Sequence, residues 1–299
     1  MTNFLLIFFC LGVGMILQHK KDLDAKAMSQ ALNQYVIFIA LPGLVLAKMP
    51  FLRFSSDLIV PILMPYIMVA FGAGMVLIAS RICNWSTGIT GCLLLCVPLG
   101  NTSFLGIPMI TAFYGEEYVQ YGIVYDQLGS FIALSTFGTF VLAKYQQGQQ
   151  ASWHTVIKKI ITFPAFLGLI AAMILRVIPY PPALANCFGH IGNSLVPVVM
   201  VAVGLQLKIR LPGRYIVPFC HGLLVKLVLA PLVAFGLIRF FDLQHDAALI
   251  AAFEAGMPPM VTGGALALAA GFAPELAAAL VGWGILLSFL TLTGLYFIL

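Results

Sequence analysis

The sequence predicts an all-α membrane protein of ten transmembrane helices. They form two inverted five-helix repeats, with discontinuous helices at the fourth and ninth positions. Three observations carry this reading. Only 8 % of the 299 residues are charged and 62 % are hydrophobic, whereas a soluble domain carries about 25 % charged residues. Charge-free stretches near the roughly 20 residues needed to cross a bilayer recur along the chain. Proline and glycine interrupt two of these stretches at matching places in the two halves.

The spans follow in order. Residues 1–18 carry no charge and end at His19-Lys20-Lys21-Asp22. The next candidates are 30–47, 57–80, 88–113 and 119–143, with breaks such as Gly115-Glu116-Glu117. The longest polar stretch runs from Lys144 to Lys159 and contains Gln146-Gln147-Gly148-Gln149-Gln150. Beyond it lie 160–178, 184–207, 215–238, 247–270 and 275–298. Residues 1–143 are thus the first repeat, 144–159 a cytoplasmic linker and 160–299 the second repeat. In lipid such spans are helices, because their backbone groups have no water to bond; the alternation of a barrel is absent.

The first span lacks the basic leader and small-residue cleavage site of a signal peptide. Its positive charges follow it, at Lys20, Lys21 and Lys26. Positive charges favour the cytoplasmic side. With the N-terminus outside, the inner loops receive those three, Arg81, Lys144, Lys158, Lys159, Lys208, Arg210 and Arg214. The outer loops receive Lys48, Arg53, Arg176 and Arg239. Both termini are then expected outside. A net charge of +5 so distributed, with so few charges to cover a wet surface, excludes a nucleic-acid binder, a soluble enzyme and a disordered chain. The six cysteines lie in apolar runs without a CxxC and read as small hydrophobes.

Five spans on each side of the linker make the halves inverted, an arrangement common in transporters. The fourth span is interrupted by Pro98-Leu99-Gly100-Asn101-Thr102-Ser103-Phe104-Leu105-Gly106-Ile107-Pro108, the ninth by Gly256-Met257-Pro258-Pro259-Met260-Val261-Thr262-Gly263-Gly264. Gly100, Pro108 and Pro258 are the expected break residues, since proline and glycine remove or weaken helical bonds. Non-helical backbone at this depth survives only within protein or beside a wet cavity, so the two breaks are expected to meet. Each second half-helix offers an N-terminus that favours anions, carboxylates among them. Asn101, Thr102 and Ser103 line or cap the first, and Pro258, Pro259, Thr262 and Gly263 surround the second. The opposing half-helix C-termini present carbonyls suited to a cation or a proton donor.

At these residues the sequence resembles a known family. Asn101-Thr102-Ser103-Phe104-Leu105-Gly106-Ile107-Pro108 is similar to the Asn-Thr-x-x-x-Gly-Ile-Pro segment of the auxin efflux carriers. That family includes the plant auxin carriers and bacterial permeases for malate, malonate and similar acids. The resemblance implies a PIN-like fold shared with bile-acid-type sodium symporters. Spans 1, 2, 6 and 7 would form a scaffold that dimerises, and spans 3–5 and 8–10 a core with an elevator-like motion. The short linker resembles the bacterial branch, which makes a plant hormone a poor substrate.

Three ionisable residues lie inside spans: Asp126, Lys226 and Glu254. A central charge costs about 2.5–3.5 kcal/mol on insertion scales, so each needs a partner, water or an ion. Glu254 stands one turn before Pro258. In the related sodium symporters a glutamate just before this crossing helps to bind sodium. Glu254 reads either as a coupling residue for Na⁺ or H⁺ or as the fixed ion-pair partner of Lys226. Asp126 is a candidate proton carrier or a residue bonded to backbone, and Lys226 neutralises an acid or meets a substrate carboxylate. Sodium prefers hard oxygen ligands, as other hard cations do; Asn101, Ser130, Ser135, Thr136 and Glu254 could supply some. No resident cofactor is implied.

A secondary carrier of small organic anions is the function these features imply. An uncoupled channel or uniporter would share the broken helices. A membrane enzyme would need paired aspartates, HExxH or a Ser/His set, and an ATP-driven pump a Walker loop; the sequence offers neither.

Overall fold

A computed structural model describes residues 2–20, 22–52, 54–145, 153–177, 181–207 and 212–299. Lys21, Arg53, Lys208 and Arg210 of the charge count, and the glutamine-rich part of the linker, lie outside the described residues. The described chain is helical, with no strand; its one extended pairing is an isolated antiparallel bridge between Gly100 and Pro259.

Among the described residues six helices are long and apolar enough to cross a membrane: Ala25–Phe51, Ser56–Ile82, Glu116–Tyr145, Pro182–Gln206, Gly213–Phe240 and Pro274–Ile298. A seventh span results if Trp153–Ile161 and Pro164–Leu175, bent by 58° at their junction, are counted together. The remaining apolar helices are shorter. They are Thr2–Gln18, the pair Thr87–Cys96 and Thr102–Phe113, and the pair Asp246–Ala255 and Val261–Ala269. The two pairs fall where the sequence reading places its fourth and ninth spans; their central breaks leave no uninterrupted run of spanning length.

Local chemistry explains the boundaries. Asp24 accepts the backbone N–H groups of Lys26 and Ala27, both at 3.0 Å, and so starts the second helix before its apolar run. Ser86 and His245 perform the same role for the first halves of the two broken helices, accepting from Ile89 at 3.4 Å and from Ala248 at 3.1 Å. Such caps satisfy donors that have no partner in the first helical turn.

The turns around the broken helices come in matched pairs. Asn84 and Asp242 take positive φ, 51° and 53°, just before the first half-helices. Trp85 N–H reaches back to the Ser80 carbonyl at 3.1 Å, and Leu243 N–H to that of Ile238 at 2.8 Å, the helix-closing bond of a Schellman end. Gly115 and Gly271 take positive φ, 114° and 72°, just after the second half-helices. Glycine meets that demand without a steric penalty, and Asn and Asp tolerate it better than other residues.

The described residues gather into two compact units. One comprises Met1–Ser55, Ser103–Ile123 and Lys158–Leu207. Within it, Thr2–Gln18 and Leu195–Gln206 approach so closely that a Cβ on Gly14 would stand 2.3 Å from the Val201 carbonyl oxygen. Small residues allow this backbone approach, a main source of helix association in lipid. The other unit comprises Ser56–Thr102, Val124–Ile157 and Lys208–Leu299. Its largest apolar cluster joins Cys92, Leu93, Leu95, Leu223, Leu227, Phe272 and Leu276, all buried. A second cluster packs Met64, Met68 and Tyr125 against Ala248, Ala251, Ala252 and Ala255. The first cluster includes residues of Thr87–Cys96 and the second residues of Asp246–Ala255, the first halves of the two broken helices.

Candidate functional site

The first break spans Val97–Asn101 and the second Gly256–Met260. Proline at 98, 258 and 259 removes N–H groups that a helix would use. The carbonyls and N–H groups thus released need partners inside the protein. They find each other. Asn101 N–H donates to the Pro258 carbonyl at 2.8 Å, and Met260 N–H donates to the Leu99 carbonyl at 3.0 Å. Gly263 permits close packing beside the crossing, where a Cβ would stand 2.3 Å from the Leu95 carbonyl oxygen.

Pro108 differs from the expected break. The helix runs without interruption over Thr102–Phe113. Its first turn, Thr102–Gly106, is π-helical, and Pro108 falls in the first turn of the α-helix Ile107–Phe113 that continues it. At that position a missing N–H costs no regular α-helical bond. Gly100 and Pro258 do stand in the breaks.

Buried polar side chains surround the crossing. Thr102 Oγ1 donates to Asp126 Oδ1 at 2.5 Å, and Gln127 Nε2 donates to Asp126 Oδ2 at 2.6 Å. Asp126, Gln127 and Ser130 share one π-helical segment, Tyr125–Ser130, and Lys226 lies in another, Val225–Leu229. Such segments inside α-helices are frequent at functional sites. Lys226 Nζ donates to the Ala255 carbonyl at 3.2 Å. That carbonyl belongs to the C-terminal end of the first half-helix, where the helix dipole is negative. A Cβ on Gly100 would stand 3.2 Å from the same ammonium, so the glycine keeps space for the lysine at the crossing.

Glu254 is fully buried, and neither carboxylate oxygen has a hydrogen-bond partner. Of the two sequence readings, the fixed ion pair with Lys226 is absent, because no contact within 4.0 Å joins them. Asn101 Nδ2 and Gln127 Oε1 are likewise buried without a partner. The cluster therefore offers unused donor and acceptor capacity beside two carboxylates and one ammonium. Buried polar groups are normally paired; these four atoms have no partner within the protein.

The other expected residues are placed less centrally. Ser103 is partly buried. Thr262 is exposed, and no side chain caps the Val261–Ala269 helix. Ser135 is buried, while Thr136 donates to the Ile132 carbonyl at 2.8 Å within its own helix. Among the described residues no cluster of three His, Cys, Asp or Glu could hold a metal ion. Gln127 is a member the sequence reading missed. Its signal was present: a second polar residue beside Asp126 inside an apolar span.

The family model described as membrane transport protein matches residues 1–296. An uncharacterized transporter of Methanocaldococcus jannaschii is 24 % identical over 239 residues, covering 77 % of this chain and 76 % of that protein. An uncharacterized transporter of Methanothermobacter thermautotrophicus is 25 % identical over 246 residues, covering 80 % and 79 %. Transport, not enzymatic chemistry, is the function of this family. With its six to seven spanning helices, the chain is a multi-pass integral membrane protein and belongs to the membrane transport protein family, that of the auxin efflux carriers.

Proposed function

We propose that the protein is a secondary active transporter of small organic anions, mono- or dicarboxylates such as malonate or malate, coupled to Na⁺ or H⁺. One observation carries the proposal: the backbone pairing of 99–101 with 258–260 within a buried cluster that contains Asn101, Asp126, Lys226 and Glu254. On this reading the chain crosses the membrane ten times, as two inverted repeats. The matched positive-φ turns at Asn84 and Asp242, and at Gly115 and Gly271, support that count. So do the two broken pairs at corresponding places.

Asn101, Thr102, Ser103, Pro258, Pro259, Thr262 and Gly263 would surround the substrate. Glu254 and Asp126 would carry the coupling ion, with Lys226 as their neighbouring cation. Glu254 brings two unpaired oxygens and Gln127 one, donors of the hard type that sodium prefers. The same unpaired carboxylate could instead accept a proton. The proposed motion is elevator-like, with spans 3–5 and 8–10 moving against a dimeric scaffold of spans 1, 2, 6 and 7. The proposed setting is the cell inner membrane, with both termini outside and the linker in the cytoplasm.

Proteoliposomes loaded with buffer test this against the channel reading. Under an inward Na⁺ or H⁺ gradient, labelled malonate or malate should accumulate above its external concentration. Flux that only equilibrates the label would support a uniporter instead.

A further inference from the structure

We infer that the unit containing Lys48 and Glu116 holds a second anion site, a vestibule that selects small monocarboxylates with an apolar body. The inference deepens the transport reading, because it names a substrate class and a place where that class is first bound.

A cavity of about 190 Å³ lies within this unit. Its floor is Ile107 and Pro108, at the start of the α-helical part of the first crossing helix, and Leu44, Leu195 and Val196 supply apolar wall. Lys48 and Glu116 stand in the same lining. Lys48 closes the Leu41–Lys48 helix. Glu116 is brought to it by the turn at Gly115, whose N–H bonds to the Ile110 carbonyl at 3.1 Å and whose φ is 114°. The resulting Lys48 Nζ–Glu116 Oε2 distance is 3.0 Å.

The chemistry of this lining is specific. Among the described lining residues Lys48 is the one cation, and the carboxylate that holds it is 61 % exposed against 28 % for the lysine. An ion pair in that situation contributes little stability, and a displaced Glu116 remains in water. A ligand carboxylate can therefore take its place on Lys48 at small cost, while an aliphatic body covers Ile107 and Leu44. A dicarboxylate fits poorly. Its second charge would meet apolar wall, which desolvates it without a partner, or Glu116 itself, which repels it. Asn193 in the lining adds an amide for a hydroxyl or keto oxygen, while Thr111 already donates to the Ile107 carbonyl at 2.9 Å.

The test uses the full chain, with isovalerate and malonate as probes. Equilibrium binding is measured on purified protein and uptake in proteoliposomes. Isovalerate should bind about tenfold more tightly than malonate. Lys48→Gln should weaken isovalerate binding about tenfold, and Lys48→Arg should restore most of it. Glu116→Gln should tighten binding by a few-fold, because it removes the competing carboxylate. These opposite signs are decisive: a purely structural ion pair would make both variants behave alike. Equal or parallel effects of Lys48→Gln and Glu116→Gln, or a loss on Lys48→Gln that is larger for malonate than for isovalerate, would overturn the site. Carboxylate uptake that ignores both variants would leave the transport reading standing without the vestibule. Binding with opposite-signed effects but no uptake would do the reverse, and absence of all carboxylate binding would remove both.

Discussion

The two breaks solve the same backbone problem with different chemistry. At the first, Val97–Asn101, polarity follows the interruption: Asn101 and Thr102 are buried, and Thr102 bonds directly to Asp126. At the second, Gly256–Met260, the break itself is apolar, and polarity precedes it at Glu254. The backbone bonds are reciprocal, one N–H from each break to a carbonyl of the other. The side chains are not. Backbone pairing thus supplies the scaffold of the crossing, and side chains peculiar to each break supply its charge.

The strongest way to break this asymmetry is to remove the shared cation. Lys226→Met takes the ammonium out of the buried cluster that contains Glu254 and leaves the Ala255 carbonyl without its donor. A buried carbonyl that loses a charged donor costs about 3 kcal/mol. Thermal unfolding of the purified variant should show a large loss of stability, partly recovered when Glu254→Gln is added. A Lys226→Met protein as stable as the parent would mean that the charges do not interact.

The first break has its own lever. Thr102→Val removes the hydroxyl that donates to Asp126. Hydrogen bonds to charged groups are worth about 1.5–3 kcal/mol, so unfolding should shift by that amount. The change should be smaller than for Lys226→Met, because Gln127 still donates to the other carboxylate oxygen.

Asn101→Ala sharpens the distinction between backbone and side chain. The N–H of residue 101 that pairs with Pro258 is kept, so the crossing should persist. The free Nδ2 is lost, and malonate or malate affinity should fall by about 1 kcal/mol, or roughly fivefold. Unchanged affinity in a binding assay would argue against substrate at the first break.

At the second break Thr262→Val should change least. The side chain is exposed and caps nothing, so melting should match the parent, and uptake should fall less than for Asn101→Ala. A defect comparable with that of Asn101→Ala would restore symmetry to the side chains and contradict the contrast.

Much of this was legible in the residues. Prolines 98, 258 and 259 with Gly100 announced both interruptions, because their effect on a helix is local and nearly context-free. The depth of Asp126, Lys226 and Glu254 followed from the apolar runs around them. Pro108 misled for a local reason: proline breaks a helix only where its N–H is needed, and the π turn before it changes where that is. The Thr102–Asp126 bond joins residues 24 apart in sequence, and no propensity encodes which acid a buried hydroxyl will find. The same holds for Lys48 and Glu116, which are 68 residues apart. Asn84 and Asp242 were a missed signal, since both residue types accept positive φ at a helix end.

The most direct measurement is gradient-driven uptake of isovalerate, malonate and malate by Glu254→Gln in proteoliposomes, beside the parent, with and without Na⁺ and at two pH values. The parent should accumulate substrate under one of the two gradients. The variant should still bind it but should lose accumulation, because the unpaired carboxylate that takes up the coupling ion is gone. Undiminished gradient-driven accumulation by Glu254→Gln would contradict the assignment of coupling to the second break.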